Sequence, residues 1–330
     1  MKLAVVPGDG IGREVIPAAL LVLDVFGLDI EKIPVEIGFG KWERTGSAIT
    51  DEDIDIIKGC DCVLFGAITT PPDPNYKSVL VRLRKELDLY ANVRPFAPLV
   101  KVKLPCNKKK FDLVIVRENT EGMYSGVEEL HEDAAYTTRV ITRRGSERIA
   151  ERACNIAGSR KKTITIVHKA NVLKSDSFFR GICADIAKKN GIIYSEMLVD
   201  TMAYELIMHP EKYDVLVTTN LFGDILSDEA AALVGGLGLC PSANIGDRYA
   251  LFEPIHGSAP DIAGKGIANP IAAILSAKMM LEWAGWKDEA IAINRAVDDV
   301  LHKGIVTIDL GGTYSTLDVS RAIVESLRKA

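Results

Sequence analysis

The chain has 330 residues, enough for two domains at about 150 residues each. A hydrophobic fraction of 48% beside 26% charged residues suits a folded protein with a sizeable core, and 40 Lys+Arg against 45 Asp+Glu leaves a net charge of −5. That balance argues against a nucleic-acid binder, which needs a basic surface, but leaves room for a small anion held by a few arginines.

No apolar run approaches the roughly 18 residues a membrane span needs. The richest stretch, residues 15–28, is broken by Pro17, Asp24 and Gly27, and Leu3-Ala4-Val5-Val6 is far short of a signal-peptide core. Cys60, Cys62, Cys106, Cys154, Cys183 and Cys240 lack Cys-x-x-Cys spacing, so they read as reduced thiols in a cytoplasmic protein.

Along the chain, short β-branched runs alternate with longer amphipathic ones. Leu3-Ala4-Val5-Val6 leads through Pro7-Gly8-Asp9-Gly10-Ile11-Gly12 into a helical pattern over 13–26. Cys62-Val63-Leu64-Phe65-Gly66 reads as a strand, and Pro71-Pro72-Asp73-Pro74 as a surface loop. Leu113-Val114-Ile115-Val116, Thr163-Ile164-Thr165-Ile166-Val167 and Val215-Leu216-Val217-Thr218 predict buried strands, each followed at once by polar residues. Residues 126–140 are polar and irregular, with a possible strand at Tyr136-Thr137-Thr138-Arg139-Val140, and suit an arm packed on another subunit. Residues 196–199 are strand-like, and 272–283 and 290–301 read as closing helices. Apolar strand, polar tip, then helix is the α/β rhythm, in which ligands collect at the carboxyl ends of strands.

Several constellations at those tips carry chemistry. The first glycine cluster spaces as Gly-x-Gly-x-Gly and has Arg13 where a dinucleotide fingerprint needs a small residue, so a tight strand-to-helix turn is the favoured reading. Asp224 and Asp228 stand four apart, one helical turn, at the expected start of a helix. Hard carboxylates suit Mg²⁺ or Mn²⁺, although aspartates also open helices for the dipole alone. Asp200, from another tip, would complete a three-carboxylate site. Arg84, Arg94 and Arg117 are each more often solvated groups when taken singly, yet together their guanidinium forks suit a polycarboxylate. Lys169 and Tyr124 are possible proton carriers. Residues 256–270 form a glycine-rich loop in which Asp261 can accept both hydrogen bonds of a ribose diol.

Taken in order, these motifs resemble one family, the metal-dependent β-decarboxylating dehydrogenases, which include isopropylmalate, isocitrate and homoisocitrate dehydrogenases. The likeness runs from Gly8-Asp9-Gly10-Ile11-Gly12 to Asp309-Leu310-Gly311-Gly312 and is densest at Asn220-Leu221-Phe222-Gly223-Asp224-Ile225-Leu226-Ser227-Asp228. The resemblance implies a two-lobed α/β fold with a mixed sheet through both lobes, unlike a Rossmann domain. The larger, nucleotide-binding lobe would comprise 1–92 and 236–330, and the smaller lobe, 93–235, would carry metal ligands, dimer interface and arm. It further implies a homodimer or homotetramer with shared active sites, NAD, Mg²⁺ or Mn²⁺, and a small di- or tricarboxylate substrate.

By the same resemblance, Arg84, Arg94 and Arg117 look like the substrate clamp. Asp200, Asp224 and Asp228 look like metal ligands, Asp200 also meeting substrate, with Asp200 and Lys169 presented to the partner's site. Lys169 and Tyr124 take the catalytic proton roles. Glu253, His256, Gly257, Ser258, Ala259, Asp261 and Asn269 look like the cofactor site, and Asp261-Ile262 matches the NAD pattern, because an aspartate repels a 2′-phosphate. The specificity segment places Lys77 and Ser78 to meet a terminal carboxylate, with Leu80 and Val81 along its methylenes. Isocitrate-type enzymes carry Asn where Leu80 stands, and isopropylmalate-type enzymes often carry an acidic residue where Lys77 stands. The string Gly66-Ala67-Ile68-Thr69-Thr70-Pro71 with Asn75-Tyr76-Lys77-Ser78 looks most like the homoisocitrate dehydrogenases of methanogenic archaea, which serve coenzyme B synthesis. Some bacterial homoisocitrate enzymes place Arg where Val81 stands. The order of expectation is homoisocitrate, then 3-isopropylmalate, then isocitrate. A catalytically silent regulatory subunit is the alternative from another class, and it should have lost some of Lys169, Tyr124 and the three aspartates, all of which are present.

Overall fold

The computed structural model describes residues 1–73, 75–102, 104 and 110–329, so Pro74 of the proline loop and Cys106 lie outside the described residues. The chain divides into two compact units, Met1–Leu87 with Leu99–Lys103 and Val234–Ala330, and Asp88–Pro98 with Leu104–Leu233.

The first unit opens with β1 (Lys2–Gly8), α1 (Gly12–Leu23), β2 (Glu31–Pro34), α2 (Phe39–Thr45), α3 (Asp51–Lys58), β3 (Cys62–Ala67) and α4 (Val79–Glu86). The second unit carries β4 (Ala91–Phe96), β5 (Leu113–Glu118), β6 (Glu128–Leu130), β7 (Ala135–Thr137), α5 (Arg143–Gly158), β8 (Thr163–His168), α6 (Lys174–Lys189), β9 (Ile193–Leu198), α7 (Val199–Met208), β10 (Val215–Thr218) and α8 (Asn220–Leu233). The chain then completes the first unit with β11 (Pro241–Ile245), β12 (Ala250–Pro254), α9 (Ile271–Ala284), α10 (Lys287–His302) and α11 (Thr316–Leu327).

Strands of the first unit run in the order β2-β1-β3-β12-β11, parallel except for the β11–β12 pair. Those of the second run β4-β5-β10-β8-β9, parallel except for β4–β5. The core of the second unit shows why its helices form where they do. Ile149, Ala150, Ala153, Cys154 and Ala157 recur at helical spacing on α5 and pack with Phe179, Cys183 and Ala187 of α6 over Val114, Val116, Ile164, Ile166, Val215 and Val217 of the sheet. The five described cysteines are all buried and unbridged.

Three expectations need correcting. The arm is a hairpin of β6 and β7 that ends at Thr137; the Thr138 amide still donates to the Val127 carbonyl at 2.8 Å, and Val140 lies outside the hairpin in an isolated bridge with Gly122. The strand expected over 196–199 is β9, and Val199 already begins α7, so Asp200 sits in a helix's first turn. Asp224 and Asp228 do not open their helix: α8 starts at Asn220 and has no acidic residue in its first turn.

The first glycine cluster is indeed a turn, and its neighbours explain its composition. Gly10 has φ +54° and an added Cβ would lie 2.0 Å from the Ser258 carbonyl oxygen, which already accepts the Ile11 amide at 2.9 Å. Asp9 accepts the Phe39, Gly40 and Thr69 amides at 2.7, 3.0 and 3.1 Å, which caps α2 from outside and ties it to the end of β3.

A second carboxylate caps α3. The Thr50 hydroxyl accepts the Asp53 amide, and Asp53 accepts the Thr50 amide at 2.7 Å with the Lys41 ammonium 2.5 Å away. Burial pushes the Asp53 carboxyl up, but Lys41 and Thr50 outweigh it and hold it below the usual carboxylate range. A depressed folded pKa stabilises above the unfolded value near pH 4 and loses that contribution as pH falls through the folded value. Asp53→Asn should therefore cost about 1 kcal/mol at pH 7 and progressively less below pH 4, read from denaturation midpoints across pH.

Candidate active site

Arg117 and Arg94 reach their positions from neighbouring antiparallel strands, β5 and β4, with Asn92 opposite Arg117 and Arg94 opposite Ile115. Neither is a solvated surface group: Arg117 is 1% exposed and Arg94 5%. A guanidinium at that depth needs a counter-charge, and both meet Asp224. Arg117 pairs closely with Oδ1 of Asp224, and Arg94 lies 3.5 Å from the same oxygen. Arg117 also donates to Oδ1 of Asn220 through Nε (3.1 Å) and Nη2 (2.7 Å), while Asn220 donates to the Glu121 carbonyl at 3.0 Å.

Tyr124 completes the group. It lies in a short 3₁₀ turn, Met123–Ser125, and its hydroxyl donates to Oδ2 of Asp224 at 2.9 Å while the Arg117 guanidinium lies over its ring at 5.4 Å. Asp228 stands one turn further along α8. Burial and the neighbouring Asp224 carboxylate push its carboxyl up, against the opposing pull of Arg94 and Arg117.

Lys169 follows the last residue of β8. Its ammonium sits 2.5 Å from Asp200 in the first turn of α7, and that contact holds the Asp200 carboxyl below its usual range. Asp200 therefore stands with Lys169 rather than with the other two aspartates; among the described residues, no three His, Cys, Asp or Glu groups converge as a metal cage. His168, 4% exposed, accepts the Ala170 amide on Nδ1 at 3.1 Å, and burial lowers its pKa. Sequence reasoning passed over His168 as well as Asn220, whose signal was its place at the head of the dense motif.

In the first unit, Arg84 near the end of α4 is 8% exposed and donates to Glu253 of β12 at 3.2 Å, and Glu253 also accepts from Asn244 at 2.7 Å. Ser78 is the N-cap of α4, its hydroxyl accepting the Val81 amide, while Lys77 is exposed and Leu80 half-buried. The loop after β12 holds the remaining expected residues. Nδ1 of His256 donates to the Gly257 carbonyl at 3.0 Å, burial pushes its pKa down, and its Nε2 is buried with no hydrogen-bond partner. Gly257 has open space around it, Asp261 is exposed, and Ala259 adopts φ +41°. Ser258 and Asn269 are engaged within the fold instead. The Ser258 hydroxyl accepts from Thr69 at 2.7 Å, and Asn269 bridges Asp309 and the Ile271 amide, both at 3.0 Å.

The glycine in the dense motif has a steric reason. A Cβ on Gly223 would lie 2.6 Å from both Cβ and Cγ of Arg117, the stem of a buried side chain that cannot swing aside. Gly223→Ala should therefore destabilise by about 1–3 kcal/mol despite alanine's better helix propensity, seen as a lower denaturation midpoint.

A family model described as isocitrate/isopropylmalate dehydrogenase matches residues 2–323. The chain is 49% identical over 332 residues to the isocitrate/homoisocitrate dehydrogenase of Thermus thermophilus, covering 99% of this chain and 98% of that protein. It is also 49% identical over 342 residues to the homoisocitrate dehydrogenase of Methanocaldococcus jannaschii, covering 100% and 98%. The crystal structure of isocitrate dehydrogenase from Methylococcus capsulatus superposes with a TM-score of 0.95 at 44% identity, covering 99% of each chain. With its mixed α/β architecture and full-length match, this chain belongs to the isocitrate/isopropylmalate dehydrogenase family of decarboxylating oxidoreductases.

Proposed function

We propose that the protein is an NAD- and divalent-metal-dependent dehydrogenase that converts homoisocitrate to 2-oxoadipate, a reaction of the kind coenzyme B synthesis uses. The observation that supports the reading is the full-length 49% likeness to an isocitrate/homoisocitrate and a homoisocitrate dehydrogenase, with a 3-isopropylmalate/3-methylmalate dehydrogenase of Methanocaldococcus jannaschii next to them at 48%. Exposed Lys77 beside half-buried Leu80 supports it, since a cation at the end of an apolar wall suits a terminal carboxylate on a methylene chain. The second reading is 3-isopropylmalate, favoured by the apolar Leu80-Val81 pair at the start of α4, and isocitrate ranks third.

The residues present fit the groups this chemistry needs. Asp224 and Asp228 are hard oxygen donors one turn apart on α8, a pair whose mutual repulsion a divalent cation relieves. A third ligand would be Asp200 from a second copy of the chain, which makes the working unit a homodimer or a homotetramer. The orphaned Nε2 of His256, the space around Gly257 and the exposed Asp261 suit a nucleotide with a ribose diol. When bound, the cation would polarise the substrate's hydroxyl and NAD would accept its hydride.

Side chains of the two copies would do the rest. Arg94 and Arg117, now paired with Asp224, would turn their donors to the substrate's carboxylates, and Arg84 would supply a third guanidinium. Lys169 of the second copy, which arrives with Asp200, would take the proton of the C2 hydroxyl as the hydride leaves, CO₂ would depart from the β-keto acid, and Tyr124 would return a proton to the carbon that lost it.

Comparing turnover of the three acids with NAD⁺ and Mg²⁺ or Mn²⁺, followed as NADH absorbance, tests this reading. Homoisocitrate should give the highest kcat/KM, chelation should abolish the rate, and Lys169→Met or Tyr124→Phe should lower kcat by about 10²–10⁴. Faster turnover of 3-isopropylmalate would overturn the substrate order.

A further inference from the structure

The backbone around each proton carrier is tied to one segment, residues 138–142. Arg139 lies just beyond the arm hairpin. Its Nη1 forms an ion pair with Asp176 and donates to the Ser175 hydroxyl at 3.0 Å, and its Nη2 donates to the Thr219 hydroxyl at 2.9 Å. Its guanidinium also lies 5.2 Å over the Phe222 ring. Asp176 is completely buried, and its other oxygen accepts the backbone amide of Lys169 at 2.6 Å. Arg139 thus reaches the backbone from which Lys169 projects and, through Thr219 and Phe222, the start of the helix that carries Asp224 and Asp228.

The residues flanking Arg139 reach Tyr124 in the same way. Val140 and Gly122 exchange backbone hydrogen bonds at 2.8 and 3.2 Å, and the Ser125 hydroxyl donates to the Thr138 carbonyl at 3.1 Å. Gly122 and Ser125 bracket the turn in which Tyr124 sits. Thr142 donates to the Glu121 carboxylate through its amide at 3.0 Å and its hydroxyl at 2.7 Å, and the Glu121 carbonyl accepts from Asn220.

We propose that Arg139 is a positioning residue for the reaction: paired with Asp176 and bonded to Thr219, it fixes the backbone from which Lys169 projects toward the site of a second copy, and residues 138–142 hold the turn of Tyr124 in the chain's own site. Proton transfer is steep in distance, so loosening this strap should lower the chemical step more than it lowers binding. The inference rests on the assignment of Lys169 and Tyr124 above.

The test compares Arg139→Gln with Arg139→Lys in the intact protein, using whichever of the three acids the wild type turns over best. Arg139→Gln removes the charge opposite Asp176; kcat should fall at least tenfold while KM for NAD⁺ stays within twofold. Hydrogen exchange should quicken in peptides spanning Lys169 and Phe222 and stay unchanged over the β12–α9 loop. Arg139→Lys keeps the charge and should recover part of both losses. A kcat within twofold of wild type in soluble Arg139→Gln would overturn the proposal. So would a loss no larger than the loss of folded protein, with exchange at Lys169 unchanged. If the wild type turned over none of the acids, the functional reading would fail by itself, and exchange at Lys169 would still decide whether Arg139 holds that backbone.

Discussion

A guanidinium charge almost wholly removed from water organises the second unit. Arg117 must be paired where it stands, because an uncompensated buried cation is strongly destabilising. Asp224 and Asn220 of α8 provide the pairing, and Gly223 between them lets the helix pass over the stem of Arg117. The contact that satisfies the charge also sets the rotation of α8 on β5, and with it the direction in which Asp224 and Asp228 point. Tyr124 is drawn in by the same carboxylate.

The cations of the second unit's site are held by protein carboxylates. Arginines that would clamp substrate carboxylates are held by a protein carboxylate, and Lys169 is held by Asp200. Under the proposed function such pairs would exchange one negative partner for another on binding, leaving little side-chain ordering to be done at that moment.

In the first unit the corresponding constraint is the close approach of two loops. The turn after β1 shares a backbone hydrogen bond with the loop after β12, Ile11 to Ser258, and the segment after β3 shares a hydroxyl pair with it, Thr69 to Ser258; Glu14 of α1 accepts the Gly264 amide further along. Ser258 and Asn269 belong to this scaffold, which leaves His256, Gly257 and Asp261 as the members whose surroundings are open to a ligand.

Much of this was legible from one-dimensional pattern. Continuous apolar or β-branched runs marked β3, β5, β8 and β10 because a strand buried on both faces must be apolar on both, and the polar residues after them marked the tips where chemistry collects. The steric demand on Gly10 likewise appears as a glycine in an otherwise ordinary turn. Spacing alone could not decide which charges were buried: Arg94 and Arg117 look like surface residues until two antiparallel strands carry them beneath α8. Nor could it decide that Asp224 lies beyond its helix's first turn, that Ser258 faces inward, or that Arg139 meets Asp176 and Thr219 from 37 and 80 positions away. Local sequence determines element type because propensity and periodicity act between near neighbours. Partnership between distant charges is decided only by tertiary packing, since burial is a property of the surroundings and not of the residue.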